Sequence, residues 1–247
     1  MNKPTAGRIW ELDLLKGLAF LMMVWDHVVY DLDSLFGVSM DALGIFKEGV
    51  GVVCAVIFTT VCGVSVTLGK HNVKHGLRLL GLALALTAGT LLVDHFMALG
   101  VTIWFGILHF LGVAMLLGHF IKRLPNAAVA ALAVGCFALG VWFETLTVSV
   151  PFLFPLGLCA RGFMSADFYP LFPHLGYVCV GILLGKTLYR DKRSRLPKGG
   201  DAPLWRPLCF LGRHTLLLYF VHQPLVIGLL FLLGLCGAFP LDIDTLL

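Results

Sequence analysis

Charged residues are scarce in this sequence. They make up 13% of its 247 residues, whereas 59% are hydrophobic and the mean hydropathy is +0.93. A soluble domain is about a quarter charged and roughly half apolar, so this balance excludes an ordinary soluble fold. The composition predicts an all-α integral membrane protein whose helix bundle is surrounded by lipid.

Paired cysteines and metal-ligand motifs are also missing. None of the seven cysteines belongs to a Cys-x-x-Cys pair, which argues against a disulfide framework. No predicted membrane span contains histidine and glutamate at ligand spacing, so no metal cofactor is expected. The net charge of +4 is modest, and no basic patch is interleaved with aromatics. A nucleic-acid partner is therefore not expected either.

Seven hydrophobic stretches approach the length of about 20 residues that crosses a bilayer. They predict seven transmembrane helices in one domain that covers residues 1–247. The stretches are 10–33, 48–69, 77–97, 101–121, 126–146, 170–189 and 208–236. Segment 147–168 is also apolar, but prolines and glycines interrupt it. We expect it to form a flap over the outer mouth of the bundle.

Basic residues set the predicted orientation. Of the 18 lysines and arginines, all but Lys47 and Arg161 fall on one side of the predicted helices, and the long segment 190–207 is especially basic. An excess of positive charge marks the cytoplasmic side. The N-terminus is therefore expected in the cytoplasm and the C-terminus outside, which requires an odd number of spans. The first stretch lacks a small-residue cleavage site and is expected to remain as a span.

The first stretch carries ionisable residues, which are costly in a spanning helix and are candidates for function. Lys16 and His27 are separated by about three helical turns, so they share one face about 16 Å apart. Asp31 lies one turn beyond His27 on that face. Together they predict a polar track from the inner surface into the bilayer.

Four predicted helices place a histidine in the central or outer half of the bilayer. A single buried histidine is commonly a hydrogen-bond partner of another helix, but four suggest a common purpose because each buried polar group needs a partner. A proton path is one interpretation, since histidine titrates near neutral pH. Pro224 removes a backbone hydrogen bond from the last helix, which fits a packing kink as well as a functional site. The histidines are His27, His109, His174 and His222.

Four blocks of the sequence resemble, in order, bacterial membrane proteins related to the catalytic domain of heparan-α-glucosaminide N-acetyltransferase. The first runs from Arg8-Ile-Trp-Glu-Leu-Asp-Leu-Leu-Lys-Gly-Leu-Ala to Asp26-His-Val-Val-Tyr-Asp31. The others are Phe105-Gly-Ile-Leu-His109, Asp167-Phe-Tyr-Pro-Leu-Phe-Pro-His174, and Leu211-Gly-Arg-His-Thr-Leu-Leu-Leu-Tyr-Phe-Val-His222-Gln-Pro224. The spacing of Lys16 and His27 is also similar to a signature of acyltransferase-3 membrane enzymes. Lys16 stands where the family commonly has arginine, and His174 where it commonly has tryptophan.

The resemblance implies an acyltransferase of the cell (inner or plasma) membrane. It would move an acetyl group from cytoplasmic acetyl-CoA, its co-substrate, to an amine or hydroxyl of an extracytoplasmic glycan or amino sugar. Besides these substrates, membrane lipid is an expected partner, and a homodimer is one assembly that relatives suggest.

The resemblance also assigns candidate residues. His27 is the expected general base or acyl carrier, and Asp31 is expected to orient it. Phosphates of acyl-CoA need cations at the inner mouth, and the candidates are Lys16, Arg78, Lys186 and Arg213. The candidates for binding the acceptor substrate are His109, Asp167, Tyr169, His174, His222 and Gln223.

Two other functions use the same features. A small-solute or proton-coupled transporter would also employ mid-membrane histidines and a helix interrupted by Pro224, although no inverted repeat is evident. A scaffold that has lost catalysis is the third interpretation. Transfer or hydrolysis of acetyl-CoA favours the enzyme, and solute flux without CoA dependence favours the transporter.

Overall fold

The computed structural model describes residues 9–34, 36–196 and 203–239, apart from the side chains of residues 45, 47 and 48. Within these residues the chain is all-helical, with seven α-helices, two 3-10 helices and no β-strand. The α-helices are α1 (Trp10–Ser34), α2 (Ile45–Leu68), α3 (Asn72–Met97), α4 (Ile107–Ile121), α5 (Asn126–Glu144), α6 (Leu171–Thr187) and α7 (Arg206–Leu235). Predictions for both chain ends, including Arg8, and for residues 197–202 of the basic segment lie outside the described residues.

Each predicted hydrophobic stretch overlaps one α-helix, which confirms the all-α architecture for the described residues. By length and composition, α2, α3, α5 and α7 can cross a membrane. Helices α4 and α6 are apolar but have only 15 and 17 residues, and α1 has 25 residues but carries several acidic and basic side chains. The count of seven spans and the orientation stay predictions.

The predicted fourth stretch began too early. Residues 101–106 precede α4 in irregular or extended backbone, and Phe105 forms an isolated bridge with Phe168. The backbone amide of Ile107 donates to the Asp167 carboxylate over 2.9 Å, which caps the helix at that residue. Segment 147–168 contains no α-helix, as its prolines and glycines predicted, and includes a 3-10 helix at Pro151–Leu156.

The described residues form two compact units, and the boundary falls within α2. The first unit comprises the residues up to Phe58 and those from Arg193 onward, and the second comprises Thr59–Lys192. Whether the chain forms one domain stays a prediction. In the first unit α1 packs against α7, and the two helices run parallel. Successive contacts establish this direction: Gly17 with Gly212, His27 with His222, and Phe36 with Val226.

Helices α1 and α7 touch backbone to backbone where they cross. A Cβ atom added to Gly17 would collide with the carbonyl oxygen of Leu208, and one added to Gly212 would collide with that of Asp13. Small residues permit such close approach between membrane helices. Only glycine leaves room for the observed crossing. Gly17 and Gly212 therefore fix the register of α1 against α7.

The second unit is built around α6. Gly181 and Gly185, whose spacing indicated a close helix contact, pack against Thr60 and Thr67 of α2, so that prediction is confirmed. Helix α5 runs antiparallel to α6, with Gly140 against Pro173. Helices α3 and α4 form another antiparallel pair, which meets through Gly76 and Gly112. At each of these helix contacts, a glycine thus packs directly against the backbone or a side chain of the neighbouring helix.

The substitution Gly212→Ala is expected to lower the unfolding temperature of the protein in detergent. Its methyl group would need the space of the Asp13 carbonyl oxygen, and overpacking of this kind costs about 1–3 kcal/mol. Gly228→Ala on the same helix is the matched control, since a Cβ there meets no atom within 4 Å. Equal unfolding temperatures for the two variants would contradict the close crossing.

Candidate active site

His27 and His222 lie side by side on α1 and α7. Their ring centroids are 4.9 Å apart, with an angle of 50° between the ring planes. Each follows its crossing glycine, Gly17 or Gly212, by the same number of residues, so the parallel register brings the two rings together. His27 is half-buried, and His222 is buried with 8% of its surface exposed.

The hydrogen bonds of His222 fix its tautomer. Its Nδ1 lies 2.6 Å from the carbonyl oxygen of Tyr219. A carbonyl oxygen only accepts hydrogen bonds, so Nδ1 carries the hydrogen and Nε2 of the neutral ring holds a lone pair. Nε2 is buried and has no hydrogen-bond partner among the described residues. The site therefore contains a buried basic nitrogen to which no described residue is hydrogen-bonded.

Asp31 contacts Gln223 rather than His27. Both of its carboxylate oxygens accept a hydrogen bond from Gln223 Nε2, each over 3.0 Å, and Asp31 is only 1% exposed. The direct orienting bond expected between Asp31 and His27 is replaced by this link, because Gln223 lies opposite Asp31 on α7 and engages both oxygens. The catalytic role of Asp31 stays a prediction. We call His27, Asp31, His222 and Gln223 the histidine site.

Asp26, which precedes His27, faces away from the histidine site. A Cβ added to Gly51 of α2 would meet the Asp26 carboxylate at 2.7 Å. The carboxylate of Asp26 thus contacts another helix, as expected from its rotation of about 100° around α1 relative to His27.

The two candidate cations of the first unit adjoin the glycine crossing. Lys16 precedes Gly17 and is half-buried, and Arg213 follows Gly212 and is exposed. The Nε atom of Arg213 donates to the carbonyl oxygen of Cys209 over 3.1 Å. The two cations therefore lie at one level of the α1–α7 pair, about 16 Å along the helix axis from His27.

Four other predicted residues meet at the beginning of α4 in the second unit. The Asp167 carboxylate caps α4 at Ile107, and the backbone amide of Tyr169 donates to the carbonyl oxygen of Phe105 over 2.9 Å. The ring of His174 lies 5.2 Å from that of Tyr169, measured between centroids. His109 completes this group through its ring contact with Phe105. We call His109, Asp167, Tyr169 and His174 the α4 cluster.

Both ring nitrogens of His109 are engaged by the protein. Nδ1 accepts from the Gly106 amide over 3.3 Å, and Nε2 lies 3.2 Å from the hydroxyl of Thr87. That hydroxyl donates to the carbonyl oxygen of Ile103, so it accepts from Nε2. His109 is 5% exposed and ties α3, α4 and their connection together. The role of His109 in substrate binding stays a prediction. Its partner Thr87 was not predicted, because a single threonine in an apolar helix does not stand out in the sequence.

Arg78 belongs to a larger basic group. A cavity of about 200 Å³ in the second unit is lined by His71, Lys74, His75 and Arg78, at the beginning of α3. Sequence reasoning singled out Arg78 alone, although the spacing of these four residues places them on one helical face and would have revealed the group.

Lys186 and its neighbour Lys122 contact backbone carbonyls. Lys186 Nζ donates to Leu124, and Lys122 Nζ donates to Val66 and Gly69 at the end of α2. Cations commonly stabilise helix C-termini in this way. Burial, together with the nearby charges of Lys192 and Arg123, holds the pKa of Lys122 below its usual value.

One protein family matches this chain over most of its length. The family model, described as heparan-alpha-glucosaminide N-acetyltransferase, catalytic, covers residues 8–224. The chain belongs to this family. Membership confirms the resemblance inferred from the sequence and implies an N-acetyltransferase-like enzyme of the membrane. No curated protein and no solved structure matches the chain.

The family match includes the whole histidine site and the α4 cluster. Among the described residues, no group of three or more side chains is arranged to hold a metal ion. The expectation that this N-acetyltransferase family member needs no metal stays a prediction.

The substitution Gln223→Leu is expected to destabilise the protein, because it leaves the buried Asp31 carboxyl without its amide partner. An unsatisfied buried group costs about 1–3 kcal/mol, and more if charged. The double variant Asp31→Leu with Gln223→Leu should regain part of this loss, since it removes both polar partners. Thermal unfolding of the parent, both single variants and the double variant measures the coupling. Additive losses would show that the two side chains do not interact.

Proposed function

We propose that this protein moves an acetyl group from cytoplasmic acetyl-CoA to an amine or hydroxyl of an extracytoplasmic glycan. The observation that supports this most directly is the pair of histidines in contact, His27 and His222, on parallel helices of a chain that belongs to an N-acetyltransferase family. Histidine is the side chain best suited to proton transfer near neutral pH. The donor, the acceptor and the role of each histidine are parts of the proposal.

The proposal places the protein in the cell (inner or plasma) membrane with seven spans. Successive spans alternate in direction, so the first and the last of seven spans run parallel. Helices α1 and α7 have this arrangement. The positive-inside rule assigns the end with Lys16 and Arg213 to the cytoplasm. The hydrocarbon core of a bilayer is about 30 Å thick, so His27, about 16 Å further along, would lie just past its middle.

The donor would enter from the cytoplasm. Acetyl-CoA carries several phosphates, which basic side chains bind through charge-assisted hydrogen bonds. Lys16 and Arg213 provide such groups beside the glycine crossing of the first unit, and Arg78, together with Lys186, provides them in the second. The pantetheine arm would then extend along the Lys16–His27 face of α1 and present its thioester to the histidine site.

His27 would act at the acetyl carbon in one of two ways. As general base it would deprotonate the acceptor, and as nucleophile it would carry the acetyl group itself. The link from Asp31 to Gln223 joins α1 to α7 one turn beyond His27 and would hold the two histidines in contact.

The acceptor would approach from outside, and the α4 cluster is proposed to bind it. Tyr169 and His174 present two aromatic rings in contact with each other, and Asp167 supplies a carboxylate at the beginning of α4. Specific small-molecule sites commonly combine aromatic surface with a few placed polar groups. All four residues also make contacts within the protein, including that of His174 Nδ1 with the carbonyl oxygen of Pro170 at 2.9 Å, so the acceptor would meet a surface that the protein holds in place.

The substitution His27→Ala is expected to abolish acetyl transfer from acetyl-CoA to glucosamine, because it removes the reacting imidazole. Binding of acetyl-CoA, measured by calorimetry in detergent, should persist. His95→Ala is the matched control, since His95 is exposed at the end of α3 and outside both groups. Full transfer activity in His27→Ala would eliminate His27 as the reacting group. Solute flux through liposomes without CoA dependence would instead support a transporter.

The substitution Arg78→Gln is expected to raise the KM for acetyl-CoA about tenfold, which corresponds to about 1.4 kcal/mol of lost phosphate contact. The KM for S-acetylpantetheine without a nucleotide should not change, because that donor lacks the CoA phosphates. Arg161→Gln, which removes an exposed cation from segment 147–168, is the control. An equal effect on both donors, or on neither, would contradict a phosphate-binding role for Arg78.

A further inference from the structure

We infer that His222, rather than His27, is the base that takes the proton of the attacking acceptor. This inference rests on the proposed acetyl transfer and assigns one step of it. By sequence alone, His222 is one of four mid-membrane histidines for which a proton path is one interpretation, and the resemblance places it among the candidates for binding the acceptor.

The two ring nitrogens of His222 differ in their hydrogen bonding. The Tyr219 carbonyl holds the hydrogen on Nδ1, which leaves a lone pair on Nε2. That atom is buried and has no partner among the described residues. A buried polar atom without a hydrogen bond costs about 1–3 kcal/mol, so such atoms are rare and call for an explanation. A base that must accept a proton from a bound substrate explains this one.

His27 and His222 differ in how the protein holds their rings. No hydrogen bond among the described residues fixes the tautomer of His27, whereas His222 has one fixed by Tyr219. An efficient general base needs its lone pair held towards the proton that it removes, as an orienting partner does in catalytic triads. His222 meets this requirement with a backbone carbonyl in place of a carboxylate.

The contact between the rings of His27 and His222 limits where an acceptor can stand. With centroids 4.9 Å apart, the two rings leave no room for a substrate atom between them. An acceptor that attacks an acetyl group at His27 must therefore stand at the edge of the ring pair, beside the nitrogens. Gln223 follows His222 and is bound to Asp31, so α7 is held against α1 at this level. The histidine site thus holds the ring of His222 against that of His27, the proposed reacting group.

The proposed step is balanced without another reactant. The acceptor nitrogen or oxygen forms a bond to the acetyl carbon, the carbon–sulfur bond of the thioester breaks, and the acceptor proton moves to Nε2 of His222. The departing CoA thiolate then takes this proton and leaves as the thiol, which restores neutral His222. If His27 first carries the acetyl group, one of its nitrogens attacks the thioester carbon, the carbon–sulfur bond breaks, and the CoA thiolate leaves with the His27 N–H proton. The acceptor then forms its bond to the acetyl carbon, the bond from that carbon to the His27 nitrogen breaks, and the acceptor proton passes through His222 to that nitrogen.

The test compares two substitutions of His222 in the purified full-length protein, with acetyl-CoA and glucosamine as substrates. In His222→Asn the side-chain amide can still donate to the Tyr219 carbonyl, but it has no basic nitrogen. We expect kcat to fall by about 10²–10⁴-fold, the usual contribution of a general base, with KM for acetyl-CoA unchanged. In His222→Ala, added imidazole should restore part of kcat. His95→Asn is the control for the substitution itself.

The outcomes separate the inference from the function on which it rests. A parental enzyme that transfers acetyl, together with a His222→Asn variant of near-parental kcat, would show that His222 only supports the helix and would overturn the inference alone. A loss confined to KM would also overturn it, since it would indicate substrate binding. If the parental protein transfers no acetyl group from acetyl-CoA to glucosamine or to any glycan acceptor, the proposed function and this inference both fall.

Discussion

The contact between Gly17 and Gly212 is the constraint on which the histidine site depends. With no side chain on either residue, the backbones of α1 and α7 approach until each glycine meets a carbonyl of the other helix. Membrane helices gain little from the hydrophobic effect when they associate, so close packing of this kind largely determines their pairing. Because the helices are parallel, one fixed contact sets the register of all others. His27 opposite His222, and Asp31 opposite Gln223, follow from it.

A second constraint is the cost of polar atoms in lipid. Each needs a partner, and most of the buried polar side chains described here have one within the protein. Only three buried side-chain nitrogen or oxygen atoms lack a hydrogen bond among the described residues: Nε2 of His222, Oε1 of Gln223 and Nδ1 of His119. Two of the three are neighbours on α7, and both belong to the histidine site. Unsatisfied atoms are thus concentrated where a substrate is proposed to react.

Hydropathy predicted the helices well because the requirement for apolar surface acts on each span separately. It failed at residues 101–106, where an apolar segment is held out of helix by partners far away in sequence, Asp167 and Phe168. The same limit applies to the site. The shared face of Lys16, His27 and Asp31 could be predicted because it depends on spacing within one helix. The hydrogen bond from Gln223 to Asp31 could not be predicted, because it depends on how α7 packs against α1. The basic group around Arg78 could have been predicted, because its residues follow the spacing of one helical face.

The contrast between His109 and His222 shows what residue type alone cannot decide. Both are buried histidines in apolar helices, and both are predicted from the resemblance to bind the acceptor. In His109 the Gly106 amide and the Thr87 hydroxyl engage both nitrogens, so a proton can neither leave nor arrive without breaking a structural bond. In His222 one nitrogen is held by Tyr219 and the other keeps its lone pair. This difference in bonding is the reason why the proposed proton transfer is assigned to His222 and not to His109.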